Sequence, residues 1–327
     1  MSDPQLPREG ELPGFGGATA WLNSEPLTPA ALEGRVVLVE FLTFTCINWI
    51  RTLPYVRAWW EAYRDHGLMV IGVHTPEFLV EQGIEEIRRR MAAMRVEFPI
   101  AVDSDYAVWR AFGNQDWPAL YFADAEGAIR HHRFGEGEYE SSELVLCALL
   151  GAAGADLGGR DRVTVEPQGV EAAADWGDLG SPEAYLGYLR AESFASPGGA
   201  AEDRRREYRV PERLALNHWA LAGEWTIGAQ PAVSNSSDGR ILHRFQARDL
   251  HLVMGPGPAG EPVRFEVLLD GQPPGAAHGL DVDEQGRGTV SEPRLHQLVR
   301  QPGAVSERLF EIAFSDPGPH AYVFTFG

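Results

Sequence analysis

The chain has 327 residues, 44% of them hydrophobic, and a formal net charge of -19 at pH 7. This length exceeds the usual size of one hydrophobic core, so we expect two domains. Nucleic acid is excluded as an expected partner, because phosphate binding requires concentrated Lys and Arg. No basic leader with an apolar core and no uninterrupted apolar window of about 18 residues is present, so we expect a soluble, cytoplasmic protein without a membrane partner.

The two cysteines are Cys46 and Cys147. They are too few for a disulfide framework or for the usual four-ligand zinc site, and the sequence predicts neither a metal nor a cofactor. Cys147 lies in "SSELVLCALL", where it shares a helix face with Leu144 and Leu150. It is therefore expected to be a small buried hydrophobe rather than a resolving thiol. Any thiol chemistry is predicted at Cys46.

Residues 1–151 alternate between strand and helix patterns. "RVVLVEFL" is typical of a strand covered on both faces, and "INWIRTLPYVRAWWEAYRDHG" has helical spacing. A helix-length crossover to the strand "LMVIGVHT" predicts that the two strands are parallel. A helix, the strand "FPIAVD" and a helical turn follow, and "PALYFADAEGAIRHHRFG" predicts a hairpin before a last helix. This order indicates an α/β domain with a mixed sheet between helices.

Residues 152–209 are rich in Gly, Ala, Pro and acidic residues and are predicted to be a linker. Within it, "SPEAYLGYLRAESF" predicts a short docked helix, with Ser181 as the cap and Pro182 at the first helical position.

Residues 210–327 change to period-two patterns, as in "VRFEVLLDG" and "HAYVFTFG", separated by Gly, Pro and Asp turns. These patterns predict an all-β sandwich of jelly-roll type. Trp219 and Trp225 could stack on a sugar, although aromatic residues at this spacing more often fill the core.

Cys46 lies in "FLTFTCINWIRTLP", where a buried strand ends and a helix begins. Helix N-termini favour the thiolate and lower thiol pKa values to about 3.5–7.5. The hydroxyls of Thr43 and Thr45 are expected to hydrogen-bond the sulfur or an incoming peroxide. Asn48 lies in the same turn as an accessory residue. Trp49 occupies the position at which a dithiol motif has its second cysteine.

Further candidates come from two other segments of the first domain. "DWPALYF" predicts a cis Trp117–Pro118 bond, which would form one wall of the site. "VHTPEF" places His74 and Glu77 at the carboxyl end of a strand, where either could donate a proton beside Cys46.

An arginine is required near the sulfur if the protein reduces peroxide, to stabilise the thiolate and polarise the oxidant. The candidates are Arg51, Arg110 and Arg130.

The long segment from "GRVVLVEFL" to "GVHTPEF", together with "WPALYFADAEGAIRHHRFGEGEYE", resembles the thioredoxin-like fold of the TlpA/ResA group and the C-terminal region of the DipZ family, in the AhpC/TSA-redoxin superfamily. The resemblance continues through "LNHWALAGEWTIG" and "RLHQLVRQPG". It implies a carbohydrate-binding-module-like second domain, and hence a carbohydrate as a further candidate partner.

The resemblance also implies roles for individual residues. The DipZ pattern is Cys-Ile-Asn-Cys, so Cys46 matches the attacking cysteine, Pro118 the cis proline, and Trp49 replaces the resolving cysteine. Thr52 lies where the TlpA/ResA relatives have an acidic residue.

Three functions follow. The first is antioxidant peroxide reduction through a sulfenic acid at Cys46, since "TFTC" has the Thr-x-x-Cys spacing of peroxiredoxins. The second is thiol–disulfide exchange by Cys46 alone, and the third is a catalytically inactive domain that binds a protein or a carbohydrate. We expect a thiol-based oxidoreductase, most concretely a peroxide reductase. Its partner would be an external thiol reductant, either glutathione or a thioredoxin-like protein, or a protein thiol.

Overall fold

The computed structural model describes residues 6–159, 161–257 and 260–327. The chain divides into two compact units, Met1–Ala172 and Ala173–Gly327. The predicted α/β domain lies in the first unit and the predicted sandwich in the second. The residues predicted to form a separate linker, 152–209, are divided between the two units.

The first unit alternates strands and helices. Its strands are β1 (Gly10–Glu11), β2 (Ala20–Leu22), β3 (Val36–Leu42), β4 (Leu68–His74), β5 (Ile100–Val102), β6 (Ala119–Ala123) and β7 (Ala128–Phe134). Its α-helices are α1 (Pro29–Leu32), α2 (Ile47–Tyr63), α3 (Ile84–Ala93), α4 (Ala107–Phe112) and α5 (Tyr139–Ala152). Short 3₁₀ turns cover Arg64–His66, Leu79–Glu81 and Gly169–Glu171.

The strands form one mixed sheet in the order β1-β7-β6-β3-β4-β5-β2. The predicted parallel pairing of β3 with β4 is confirmed, and its register runs to the pair Leu42↔His74. On the other side, β6 pairs antiparallel with β3, beginning at Phe41↔Ala119. The carboxyl ends of β3 and β4 and the first residue of β6 therefore meet at one edge of the sheet.

Alternation along β3 separates its side chains between two faces of the sheet. Val37, Val39 and Phe41 contribute to an apolar core cluster on one face. Glu40 lies between two of these residues and therefore points to the opposite face. It is fully buried although it is an acid.

The second unit is built from antiparallel strands. They are β8 (Ala184–Tyr185), β9 (Arg205–Tyr208), β10 (Trp219–Ile227), β11 (Ala232–Ser234), β12 (Arg240–Gln246), β13 (Asp249–Gly255), β14 (Val263–Leu269), β15 (Arg287–Val290), β16 (Arg294–Arg300), β17 (Glu307–Phe314) and β18 (His320–Phe326). A 3₁₀ turn covers Gly275–Ala277.

The strands are hydrogen-bonded in the order β15-β14-β17-β12-β10-β11-β18-β13-β16. This sheet curls into a sandwich because β10 contributes to both of its layers. Residues 219–222 of β10 pair with β12, whereas residues 225–227 pair with β11. Gly223 lies between these stretches with φ +86, a left-handed conformation that glycine adopts at little cost. The all-β architecture agrees with the period-two patterns of the sequence.

The two tryptophans considered for sugar stacking lie inside the sandwich. Trp219 and Trp225 are fully buried, and their indole N–H groups donate to the carbonyls of Glu192 (2.8 Å) and Ala222 (2.9 Å). Each ring fills the core and has its polar atom satisfied. Neither ring is exposed to a carbohydrate.

The prediction of a short helix at the start of the second unit is wrong. Residues 184 and 185 form β8, which pairs with β18. Ser181 caps no helix, because its hydroxyl donates to the side chain of Asn217 (2.7 Å) and accepts the backbone N–H of Gln246 (2.8 Å). Pairing with distant strands thus overrides the local capping signal.

Within the described residues, no helix combines the length and the apolar character required to cross a membrane.

Candidate active site

Cys46 is the N-cap residue of α2, with extended backbone angles of φ -76 and ψ 116. Its carbonyl accepts the N–H of Ile50 (3.0 Å), and its own N–H donates to the carbonyl of Thr43 (3.2 Å), closing a tight turn. The thiol donates to the carbonyl oxygen of Trp117 at 3.6 Å. The Cys46 side chain is 8% exposed. The sulfur therefore lies at the helix N-terminus, as predicted, with a small opening to solvent.

The segment that begins β6 lies against this thiol. The Trp117–Pro118 peptide bond is cis, as predicted. The indole N–H of Trp117 donates to the carbonyl of Thr75 (3.1 Å), and the ring centroid lies 4.3 Å from that of Trp109. The carbonyl of Pro118 accepts the N–H of Gly135 (2.8 Å). These contacts fix the segment and leave Trp117 half-exposed beside Cys46.

The hydroxyls of Thr43 and Thr45 have a different partner from the one expected. Both donate to Oε1 of Glu81, at 2.5 Å and 2.6 Å. Oε2 of the same carboxyl group accepts the backbone N–H groups of Glu77 (2.7 Å) and Phe78 (2.8 Å). The hydroxyl protons are thus directed to a buried acid rather than to the sulfur or to a bound peroxide.

Burial raises the pKa of Glu81 to about 7, and the hydrogen bonds from Thr43, Thr45 and Phe78 oppose the rise. The nearby Glu77 carboxylate adds to it. Desolvation disfavours the charged carboxylate, whereas donors aimed at its oxygens favour it. Burial and the surrounding donors therefore act in opposite directions on the charge of Glu81.

Trp49 occupies the position of the absent second cysteine and is fully buried. Beneath it lies Glu40, also fully buried, whose pKa is raised to about 8 by desolvation. The Trp49 indole N–H and the Arg57 guanidinium oppose this rise. Within the described part of the chain, neither oxygen of Glu40 accepts a hydrogen bond of normal geometry. Glu40 is consequently a mostly protonated acid at neutral pH.

His74 differs from the proton donor that the sequence suggested, whereas no described contact tests the side chain of Glu77. His74 is fully buried and stacks on Phe44, with ring centroids 5.6 Å apart. Burial lowers the pKa of His74 to about 3, so it is neutral at physiological pH and cannot act as an imidazolium acid. Glu77 is half-exposed, and its backbone N–H binds Glu81.

Arg51 lies on the first turns of α2 and is 2% exposed. Its Nη1 forms an ion pair with Glu136 at 3.2 Å. Arg130 pairs with Asp124 at the hairpin turn, the end of β6 opposite to Pro118. The guanidinium of Arg110 donates to the carbonyl of Asp105 (2.7 Å). The described ion pairs of Arg51 and Arg130 thus go to Glu136 and Asp124.

Asn48 is half-exposed on the first turn of α2, and its carbonyl accepts the Thr52 hydroxyl at 2.9 Å. The Thr52 hydroxyl also lies 3.3 Å from the Tyr139 hydroxyl. Thr52 and Tyr139 therefore form a neutral hydroxyl pair.

Cys147 is in α5 and lies beside the C-terminal end of α2, the helix that begins after Cys46. Its thiol donates to the hydroxyl of Tyr63 at 3.7 Å, and Tyr63 is the last residue of α2. The 17 residues of α2 extend about 25 Å at 1.5 Å per residue. A disulfide requires Cα atoms within about 7 Å. Cys147 cannot resolve a Cys46 intermediate within this fold.

Two acids of this site, Glu40 and Glu81, were not predicted from the sequence. Glu40 interrupts the otherwise apolar strand "VVLVEFL", and an acid at a core-facing strand position is a readable sign of function. Glu81 leaves no comparable sign, because its partners Thr43 and Thr45 are separated from it by 38 and 36 residues.

These features define a thioredoxin-like domain with one thiol at the helix start and a cis proline beside it. Residues 12–132 match the AhpC/TSA family model, and residues 181–327 match the model described as "Thioredoxin like C-terminal domain".

The comparisons with curated proteins cover both units. Protein DipZ from Mycobacterium bovis is 34% identical over 99% of this chain, and the chain spans 44% of the length of DipZ. The thiol-disulfide oxidoreductase YkuV from Bacillus subtilis is 32% identical over 38% of this chain and 83% of its own. Among solved structures, a thioredoxin-like protein in the oxidized form is 31% identical, covers 44% of this chain and 97% of its own, and has a TM-score of 0.41.

The chain belongs to the thioredoxin-like family of thiol–disulfide oxidoreductases.

Proposed function

We propose that this protein catalyses thiol–disulfide exchange through Cys46 alone. The observation that carries the proposal is the placement of the Cys46 thiol at the N-terminus of α2, against the carbonyl of Trp117, with buried Trp49 in the position of a second cysteine. A helix N-terminus favours the thiolate, which is the attacking species.

The exchange takes place in two balanced steps. The Cys46 thiolate attacks a disulfide R–S–S–R′, forms the mixed disulfide Cys46–S–S–R and releases R′S⁻. Because Trp49 cannot resolve this intermediate, an external thiolate R″S⁻ attacks the sulfur of R. This attack gives R–S–S–R″ and returns the Cys46 thiolate. The net result is exchange of thiol partners, with no oxidant or reductant consumed.

The partner in this scheme is an external thiol, either glutathione, a thioredoxin-like protein or a protein cysteine. A reducing compartment such as the cytoplasm would supply such thiols. The naming of YkuV as a thiol-disulfide oxidoreductase supports the same class of chemistry for this chain.

Peroxide reduction has weaker support than disulfide exchange. The Thr43 hydroxyl, which would have served the Thr-x-x-Cys motif, donates to Glu81. The Arg51 guanidinium, the candidate nearest in sequence to the thiol, pairs with Glu136. The Thr43 hydroxyl and one guanidinium nitrogen of Arg51 therefore have carboxylate partners of their own.

The test is to incubate the full chain with oxidised glutathione and measure intact mass. We expect one glutathione per chain, located at Cys46 by peptide mapping, and its removal by a second thiol. Cys147→Ser should behave like the wild type, whereas Cys46→Ser should gain nothing.

A folded wild-type protein that forms no mixed disulfide at Cys46 would refute the proposal. Two other results can be told apart with the same variants. Sulfenic acid formation and peroxide consumption that depend on Cys46, without disulfide exchange, would favour the antioxidant function. A Cys46 thiol inert to both reagents would favour a binding protein.

A further inference from the structure

We propose that Glu81 is a positioning residue for Cys46, and that its carboxyl group ties together the loops on both sides of the thiol. This role rests on the proposed exchange chemistry at Cys46. In the described contacts Glu81 does not touch the sulfur, and it acts through the residues that it binds.

Glu81 holds the turn that precedes the thiol. The backbone N–H of Cys46 donates to the carbonyl of Thr43, so residues 43–46 form a closed turn. The Thr43 and Thr45 hydroxyls of this turn both donate to Oε1 of Glu81. Both threonine side chains and Glu81 are at most 1% exposed. The backbone that presents the thiol is therefore held by one carboxyl oxygen.

Glu81 also binds the loop that follows β4. Oε2 of Glu81 accepts the N–H groups of Glu77 and Phe78 in that loop. Upstream in the same loop, the carbonyl of Thr75 accepts the Trp117 indole N–H, and the carbonyl of Pro76 accepts the Tyr106 hydroxyl. Glu81 thus connects the Cys46 turn to the loop that supports Trp117. The carbonyl of Trp117 is in turn the acceptor for the thiol.

This arrangement requires a side chain that accepts hydrogen bonds at both of its oxygens. The hydrogen bonds given above all reach Glu81 from donors, two hydroxyls and two backbone N–H groups. A carboxylate can accept all four, because both oxygens are acceptors. A glutamine has one acceptor oxygen, and its NH₂ group would face two donors at the other end. Since the site is buried, water does not replace the lost acceptor.

The experiment measures Cys46 reactivity in a Cys147→Ser background, so that only one thiol reacts. The rate of iodoacetamide alkylation across pH reports the position and ionisation of the thiol. The rate of exchange with oxidised glutathione reports its function. We expect Glu81→Gln to slow exchange on the order of tenfold to a hundredfold, as small displacements of reacting groups do, and to displace the pH profile of alkylation.

Two threonine variants separate positioning from general instability. Thr45→Val removes the donor to Glu81 and should slow both reactions, whereas Thr45→Ser retains the hydroxyl and should restore them. Combining Glu81→Gln with Thr45→Val should be less damaging than the product of the two single effects, because both variants disrupt one contact. Glu85→Gln, an exposed acid of α3, is the matched control and should leave both rates unchanged.

The outcomes are distinct. If folded Glu81→Gln alkylates and exchanges at wild-type rates, Glu81 has no positioning role. If Glu81→Gln fails to fold, the Thr45 pair decides, and equal rates for Thr45→Val and Thr45→Ser would overturn the proposal. If the wild type alkylates at Cys46 but exchanges no disulfide, the proposed function fails, and the alkylation profiles still test Glu81.

Discussion

Replacing Glu40 with glutamine should make the stability of the first unit less sensitive to alkaline pH. Burial raises the pKa of Glu40 from 4.5 to about 8. The folded state therefore holds its proton more tightly than the unfolded state does. The stability linked to this proton is fully present below pH 4.5 and is lost as the pH rises through about 8.

The magnitude follows from the size of the rise. A shift of one pKa unit corresponds to about 1.4 kcal/mol, so the full rise is worth roughly 5 kcal/mol. Roughly 2 to 3 kcal/mol of it is lost between pH 6 and pH 9. Glutamine is neutral throughout, and the other titrating groups are common to both proteins. The stability of Glu40→Gln relative to the wild type should therefore increase by roughly 2 to 3 kcal/mol over this range.

The assay is urea unfolding of both proteins at pH 6 and pH 9, followed by tryptophan fluorescence. A difference between variant and wild type that stays constant within about 1 kcal/mol would refute the reasoning. It would show that Glu40 is as well solvated or as well paired in the folded state as in the unfolded chain.

Three further results are expected. Trp49→Cys should lower stability by about 3 kcal/mol through the cavity it leaves, and should create a disulfide with Cys46 that dithiothreitol titration detects; an introduced thiol that never oxidises would contradict the site geometry. In the sandwich, burial lowers the pKa of His243 from 6.5 to about 3, so stability linked to this neutral histidine is lost as the pH falls below 6.5, and His243→Leu should lose about 2 kcal/mol less than the wild type between pH 7 and pH 5 in urea titrations. Equal losses would contradict that burial. Cys147→Ser should keep the wild-type rate of glutathione exchange by stopped-flow assay, since its thiol contacts Tyr63 at the far end of α2; a strong loss would contradict the separation of the two thiols.

Much of the first unit could be predicted because its signals are local. The apolar run of β3, the helix α2 with the 3₁₀ turn that stops at Gly67, and the parallel strand β4 are all indicated by neighbouring residues. Their order also fixes which strand ends meet, and thus places Cys46 near Pro118. The period-two patterns of the second unit similarly predict antiparallel strands.

Other features could not be predicted because they depend on distant partners. Ser181 precedes a proline, as in many helix starts, but it bonds Gln246 across 65 residues and the segment becomes a strand. The sequence predicts that the hydroxyls of Thr43 and Thr45 bond the sulfur or an incoming peroxide. In the structure they donate to Glu81, which follows β4 and lies near the turn because β4 pairs with β3.

The proposal that Cys46 works without a second cysteine can be tested by multiple turnover. The measurement is the transfer of glutathione from its disulfide to a thiol peptide, with the peptide in large excess over the protein. Many transfers per chain are expected for the wild type and for Cys147→Ser, and none above background for Cys46→Ser. A folded wild-type protein that transfers no more glutathione than Cys46→Ser would contradict catalysis by this single thiol.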